Sequence, residues 1–148
     1  TKEAMKRILV AVISLMAIGC ISKADDRPVK FERIPAAAQK FVKTNFADNK
    51  VVFVTKDDDI VAPDYEVVLN NGTVLQFSSI GSLEKIEAFK AGVPMNLIPE
   101  KIKEYVAATY PEVYYREYEI DRGKHEVKLS NGLELTFNSV FTLIEVDD

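Results

Sequence analysis

The chain has 148 residues, 47% of them hydrophobic, with 19 Lys and Arg against 23 Asp and Glu and a formal charge of −4. That length suits one domain with a sizeable core. The acidic balance argues against nucleic acid, whose phosphates call for Lys and Arg, and against electrostatic docking on anionic lipid.

From Met5 the chain reads MKRILVAVISLMAIGCISKADD, with Lys6 and Arg7 followed by an apolar run from Ile8 to Ile18. The run falls short of the about 20 residues a membrane-spanning helix needs. Its cationic start and small-residue end are those of a secretory signal peptide, and Thr1–Ala4 read as an upstream extension. Ser22-Lys23-Ala24 puts small residues where a signal peptidase reads, so 1–24 is expected to be the signal peptide and 25–148 the exported, periplasmic part. The alternative is lipidation at Cys20, which would make an outer-membrane lipoprotein, although Ala17 stands where such signals usually carry Leu. Taking the leader's four cations and one anion from the totals leaves 15 against 22, a formal charge of −7 for residues 25–148. No Cys remains there, so the fold must rest on its core rather than on disulfides.

Past the leader the sequence is written twice. IPAAAQKFVKTNF at 34–46 returns as IPEKIKEYVAATY at 98–110, and YEVVLNNGTVLQFSSIGSL at 65–83 returns as HEVKLSNGLELTFNSVFTL at 125–143. Ile34, Ala38, Phe41, Val42 and Phe46 form one apolar stripe, as do Ile98, Ile102, Tyr105, Val106 and Tyr110, so each copy opens with an amphipathic helix. Pro35 and Pro99 are expected at the first helical position. KVVFVTK at 50–56 has strand composition. YEVVL and TVLQF, with HEVKL and LELTF, alternate about Asn71-Gly72 and Asn131-Gly132, which predicts type I′ hairpins. Asp121–Lys124 is another tight turn, and a last strand is expected near 83–89 and again near 141–146. FKAGVPMNL at 89–97 joins the copies. The predicted fold is therefore α+β: a tandem repeat, 31–89 and 95–148, of one helix and about four antiparallel strands, with the helices on one face of the sheet. The other face is expected to be more open to water.

Catalytic inventory is thin. His125 stands where the first copy has Tyr65, which points to packing rather than to catalysis or metal binding. Ser82 follows Gly81 without the flanking pattern of a nucleophile elbow, and no phosphate-cradling loop or zinc spacing is present. Glu66 and Glu126 recur with the repeat and are expected to pair across strands with Lys or Arg. Asp57, Asp58, Asp59 and Asp64 cluster in a loop where oxygen ligands could meet a cation, but the spacing and glycine of a calcium loop are missing. The copies also differ in their tyrosines: five of the six fall between Tyr105 and Tyr118. In VYYREY, strand alternation puts Tyr114, Arg116 and Tyr118 on one side and Tyr115 on the other. Tyr and Arg are the residues of interface hot spots. Tyrosines closing the core with their hydroxyls at its rim are the competing reading.

A Pro-started amphipathic helix followed by YEVVLNNGTVLQFSSIG, written twice after an export signal, resembles the PepSY-like proteins of Bacteroidetes, which are beta-lactamase-inhibitor-like in fold. The resemblance covers about 31–146, with His125 in place of the usual tyrosine and Phe141 where a glycine is expected. It implies a small exported protein that binds other proteins, in the manner of peptidase inhibitors that use the open face of a sheet. It supplies no catalytic residue and no cofactor. The expected function is a non-enzymatic binding module that contacts a protein or peptide through Tyr114, Arg116 and Tyr118. The alternative is an envelope protein sensing a metal or small ligand through Asp57, Asp58 and Asp59.

Overall fold

Nine strands and two α-helices carry residues 26–148, the part of the chain that the computed structural model describes. The expected signal peptide, its cleavage point and Cys20 lie outside the described residues. The first repeat holds α1 (Ala36–Asn45), β2 (Val51–Lys56), β3 (Tyr65–Leu69), β4 (Val74–Phe77) and β5 (Leu83–Glu87). The second holds α2 (Glu100–Thr109), β6 (Tyr115–Asp121), β7 (Lys124–Leu129), β8 (Glu134–Phe137) and β9 (Leu143–Asp147). A two-residue strand, β1 (Arg27–Pro28), precedes both and was not foreseen from the sequence. All nine pair antiparallel in chain order, so one sheet runs from β1 to β9 without a crossover.

Both helices lie on the same face, and each repeat packs its helix by the same contacts. Ala38 and Val42 of α1, and Ile102 and Val106 of α2, are buried. Phe41 meets Phe77 edge-on at 5.6 Å, and Tyr105 meets Phe137 edge-on at 5.8 Å. Beneath them Val67, Leu69 and Leu75 are buried in the first repeat, and Val127, Leu129 and Leu135 in the second. The period-two alternation seen in the sequence is thus the inward face of each strand, and the fold is an α+β tandem repeat.

Three local details differ from the sequence reading. Pro35 and Pro99 sit one place earlier than expected, as N-caps: their carbonyls accept the first helical bonds, from Gln39 and Lys103, at 3.1 Å each. The Asn-Gly turns are three-residue loops rather than type I′ pairs. Gly72 N–H donates to Leu69 O and Leu69 N–H to Thr73 O, and the second repeat copies both bonds. Only the glycines take positive φ, +84° and +92°. Asn71 and Asn131 instead accept the amides of Thr73 and Leu133 on their side-chain oxygens, so each asparagine holds the turn without entering the left-handed region.

The third difference decides the tyrosine window. Pairing of β6 with β7 steps from Tyr115–Leu129 to Glu117–Lys128, leaving Arg116 as the extra residue of a β-bulge; Val52 is extra at the same place in β2. A bulge shifts the alternation by one residue. Tyr115 and Tyr118 therefore both enter the core, and Glu117 and Glu119 take the other face. Tyr118, at 3% exposure, is a core residue and not part of a binding surface.

Candidate functional site on the open face

Directly paired residues of an antiparallel ladder share a face, so the register lays out the sheet surface opposite the helices. In the first repeat Phe53, Val68 and Val74 form one row, and Thr55, Glu66 and Gln76 the next. Strand β5 continues these rows with Glu87 and Lys85. The second repeat completes them with Glu117, Lys128 and Glu134, and with Glu119, Glu126 and Thr136. One end of the face is consequently an apolar strip, with Phe53 41% exposed. The rest is polar and mainly acidic, with Thr55, Gln76 and Thr136 interspersed.

The charged part is an ion-paired network. Lys85 Nζ lies 2.6 Å from Glu117, 3.2 Å from Glu87 and 3.6 Å from Glu119. Lys128 Nζ lies 3.6 Å from Glu117 and 3.5 Å from Glu134. Burial opposes the charge of Lys85, but hydrogen bonding and attraction from Glu117 and then Glu87 outweigh it and raise its pKa. Glu126 does not find the Lys or Arg partner expected from the sequence. It faces Glu119 and Thr136 across the ladder and hydrogen-bonds Glu134. Burial first, then the hydrogen bond to and charge of Glu134, push its carboxyl up to about 7. A carboxyl that is part-buried beside another carboxylate is favoured in its protonated form, and here that carboxyl is Glu126.

At the edge of this surface Tyr114 is 47% exposed, its hydroxyl donating to Phe89 O at 3.4 Å. The Arg116 guanidinium covers the Phe89 ring at 4.8 Å. Tyr114 and Arg116 thus meet on Phe89, a residue the sequence reading did not single out, while Tyr118 lies beneath the sheet. The acidic loop does not converge either. Asp58 pairs with Arg27 at 2.8 Å, and Asp59 accepts the amides of Val61 and Ala62. Only Asp57 turns to a shared space, a cavity of about 140 Å³ that Asp26, Asp64 and Glu66 also line. Asp26 Oδ1 is buried there without a hydrogen-bond partner. Among the described residues no three His, Cys, Asp or Glu side chains are placed to hold a metal ion.

The comparisons agree with this doubled architecture. The profile of a family described as "putative beta-lactamase-inhibitor-like, PepSY-like" matches twice, over residues 22–85 and 63–145. The chain belongs to the PepSY-like family. Solved structures similar to this PepSY-like chain come from Bacteroides. A "putative periplasmic protein" of the DUF2874 family from Bacteroides vulgatus is 36% identical over 86% of this chain and 100% of its own, with a TM-score of 0.80. A "putative calcium-regulated periplasmic protein" from Bacteroides thetaiotaomicron is 36% identical over 84% and 98%, also at 0.80. A third, from Bacteroides vulgatus and of unknown function, is 28% identical over 83% and 99%, at 0.78. Among curated proteins none matches. No helix among the described residues is long and apolar enough to cross a membrane.

Two positions where the second repeat differs from the first touch each other: His125 stands for Tyr65 and Phe141 for Gly81. The His125 ring lies 4.7 Å from that of Phe141 and stacks at 6.0 Å on Tyr118, whose hydroxyl is 2.7 Å from His125 Nδ1. Burial pushes Tyr118 up to about 12, so the phenol keeps its proton. Burial also lowers the His125 pKa, which favours the neutral ring beside the Tyr118 hydroxyl. The pair is closed on itself beside the core, as the packing reading of His125 expects.

Proposed function

We propose that the chain is an exported, non-enzymatic binding module that contacts a protein or peptide partner through the open face of its sheet, in the manner of a peptidase inhibitor. One observation carries the reading: the apolar strip of Phe53, Val68 and Val74 runs directly into the charged network around Lys85 and Glu117 on a face that neither helix covers. Apolar anchors beside fixed charges supply both burial and orientation to a partner. Tyr114 and Arg116, held over Phe89, add a rim of hot-spot composition. The periplasmic setting of the Bacteroides relatives supports the export reading.

The test is site-specific photo-crosslinking in cells, with the reactive residue at Phe53 or Lys128 on the open face, and at Lys101 or Glu104 on the exposed side of α2 as controls. Partner adducts from the face positions alone are expected. Adducts from α2 instead would overturn the reading.

A second reading rests on the cavity at the first-repeat end and on the calcium-regulated relative. Asp57 with Asp26, Asp64 and Glu66, rather than the Asp57–Asp59 run alone, would be the oxygen donors for a hard cation. They do not converge as placed, so binding would require these side chains to turn toward one another. Calorimetric titration with calcium chloride decides it: no heat, with no change in melting temperature, removes this reading.

A further inference from the structure

The two repeats are equivalent element by element, yet their last strands end in different surroundings. Strand β5 is covered by β6, through Lys85–Glu119, Ile86–Tyr118 and Glu87–Glu117. Strand β9 occupies the same place in the second repeat, with Glu145, Val146 and Asp147 standing for Lys85, Ile86 and Glu87. No described strand pairs beyond it. The consequence shows in burial: Ile86 is 0% exposed and Val146 46%. Backbone direction follows the same equivalence. Ala88 N–H donates toward β6, to Arg116 O at 2.8 Å. Alternation turns Ile86 N–H the same way, and so turns Val146 N–H off the open edge.

We propose that the outer edge of β9 accepts an extended segment of a partner as a tenth strand, and that this segment carries an apolar residue flanked by Lys or Arg. The molecule supplies its own template in β6 on β5. There Tyr118 covers Ile86, while Glu117 and Glu119 answer the cation of Lys85. At β9 the cation is missing, because Glu145 replaces Lys85 while Asp147 keeps the acidity of Glu87, so the covering strand must bring cations to the places of Glu119 and Glu117. A second copy of β9 does not fit, since antiparallel self-pairing sets Glu145 and Asp147 against like charges. Glu145 and Asp147 carry the rows of the open face out to this edge, but the pairing uses the main chain of β9 and does not depend on the proposal made for the face.

The test uses the whole chain and two peptides with the sequence of residues 114–121, one unaltered and one carrying Glu117→Lys and Glu119→Lys. Fluorescence anisotropy at low salt is expected to show the lysine peptide binding about tenfold or more tightly than the unaltered one, since each opposed pair changes from repulsion to attraction. The Val146→Pro variant removes one outward N–H, and proline is tolerated on an edge. It should lose the binding while melting within a few degrees of the parent chain. The double variant Glu145→Lys, Asp147→Lys should reverse the peptide preference. Equal binding of the two peptides, or binding that survives Val146→Pro, overturns the proposal. So does absence of binding, which would leave the acidic residues as guards against edge pairing. Self-association of the chain that Val146→Pro abolishes would likewise overturn it, by making a second copy the occupant.

Discussion

Phe141 holds the place that Gly81 holds in the first repeat, and it keeps the glycine's left-handed backbone, with φ +64° against +84°. A side chain there is strained by roughly 1–2 kcal/mol, and the ring's contact with His125 at 4.7 Å offsets it. Phe141→Ala keeps the strain and loses the contact, so it should destabilise by about 2 kcal/mol. Phe141→Gly relieves the strain and should cost about 1 kcal/mol less than the alanine variant. Chemical denaturation gives the order, and an alanine variant at least as stable as the glycine one would contradict this account.

The reverse substitution belongs to the first repeat. A Cβ on Gly81 would lie 2.9 Å from Pro35 Cβ and 3.0 Å from the backbone nitrogen of Ala38. Gly81→Ala therefore meets a wrong φ and a crowded helix start together. It should destabilise by about 2 kcal/mol or more, read as a shifted denaturation midpoint.

Tyr114 and Tyr118 should separate cleanly. Tyr118→Ser empties a core position and should destabilise by about 3 kcal/mol, whereas Tyr114→Ser at the surface should change stability by under about 1 kcal/mol. Equal losses in thermal melts would contradict the placement of Tyr118 under the sheet.

Lys85 is the hub of the open-face network. Lys85→Met leaves Glu117, itself buried, facing Glu87 and Glu119 without its nearest cation. A loss of about 2–3 kcal/mol is expected. Replacing both Lys85 and Glu117 by Met should recover much of it, because an apolar pair removes both desolvation penalties. A double variant no better than the single would show that Lys85 acts through other partners.

Protonation of Glu126 gives a pH signature. In the unfolded chain its carboxyl ionises near 4.5, whereas in the folded protein it holds its proton to about 7. The unfolded state therefore binds fewer protons across that window, and this group's contribution falls as pH rises from 4.5 to about 7. Glu126→Gln should raise the melting temperature at pH 8 more than at pH 5. His125 acts in the opposite sense. Burial depresses its pKa below 6.5, so its contribution is present above 6.5 and lost as pH falls toward the folded value. His125→Gln should flatten the acid side of the profile and leave the alkaline side unchanged.

The helices, the inward strand residues and the doubling were legible because each depends only on spacing along the chain. That the second repeat matches Phe41 over Phe77 with Tyr105 over Phe137 follows from the aligned repeats, although the contacts themselves come from the structure. The side taken by Tyr118 was not legible, because alternation assumes one residue per pairing step and Arg116 adds one. The turn type was hidden for a similar reason: Asn-Gly serves a two-residue turn and also a three-residue loop whose glycine alone is left-handed. Nor could the open face be assembled from sequence, since its rows depend on Glu87 meeting Glu117 across the junction between repeats. The mispairing of Glu126 came from that same register, which sets it beside carboxylates where a cation was expected.

The unbroken chain order of the strands also bears on how the molecule folds. Six of its eight strand pairings close over a short loop, and only β1–β2 and β5–β6 must wait for a helix to be spanned. Sequence-local pairing of this kind lowers contact order and speeds folding relative to sheets built from distant segments. The junction where Glu87 and Ile86 meet Glu117 and Tyr118 is then expected to be the slow step. If each repeat's hairpins zip before that seam forms, substitutions at the seam should slow folding, whereas those in the outer strands should mainly hasten unfolding, as chevron plots would show.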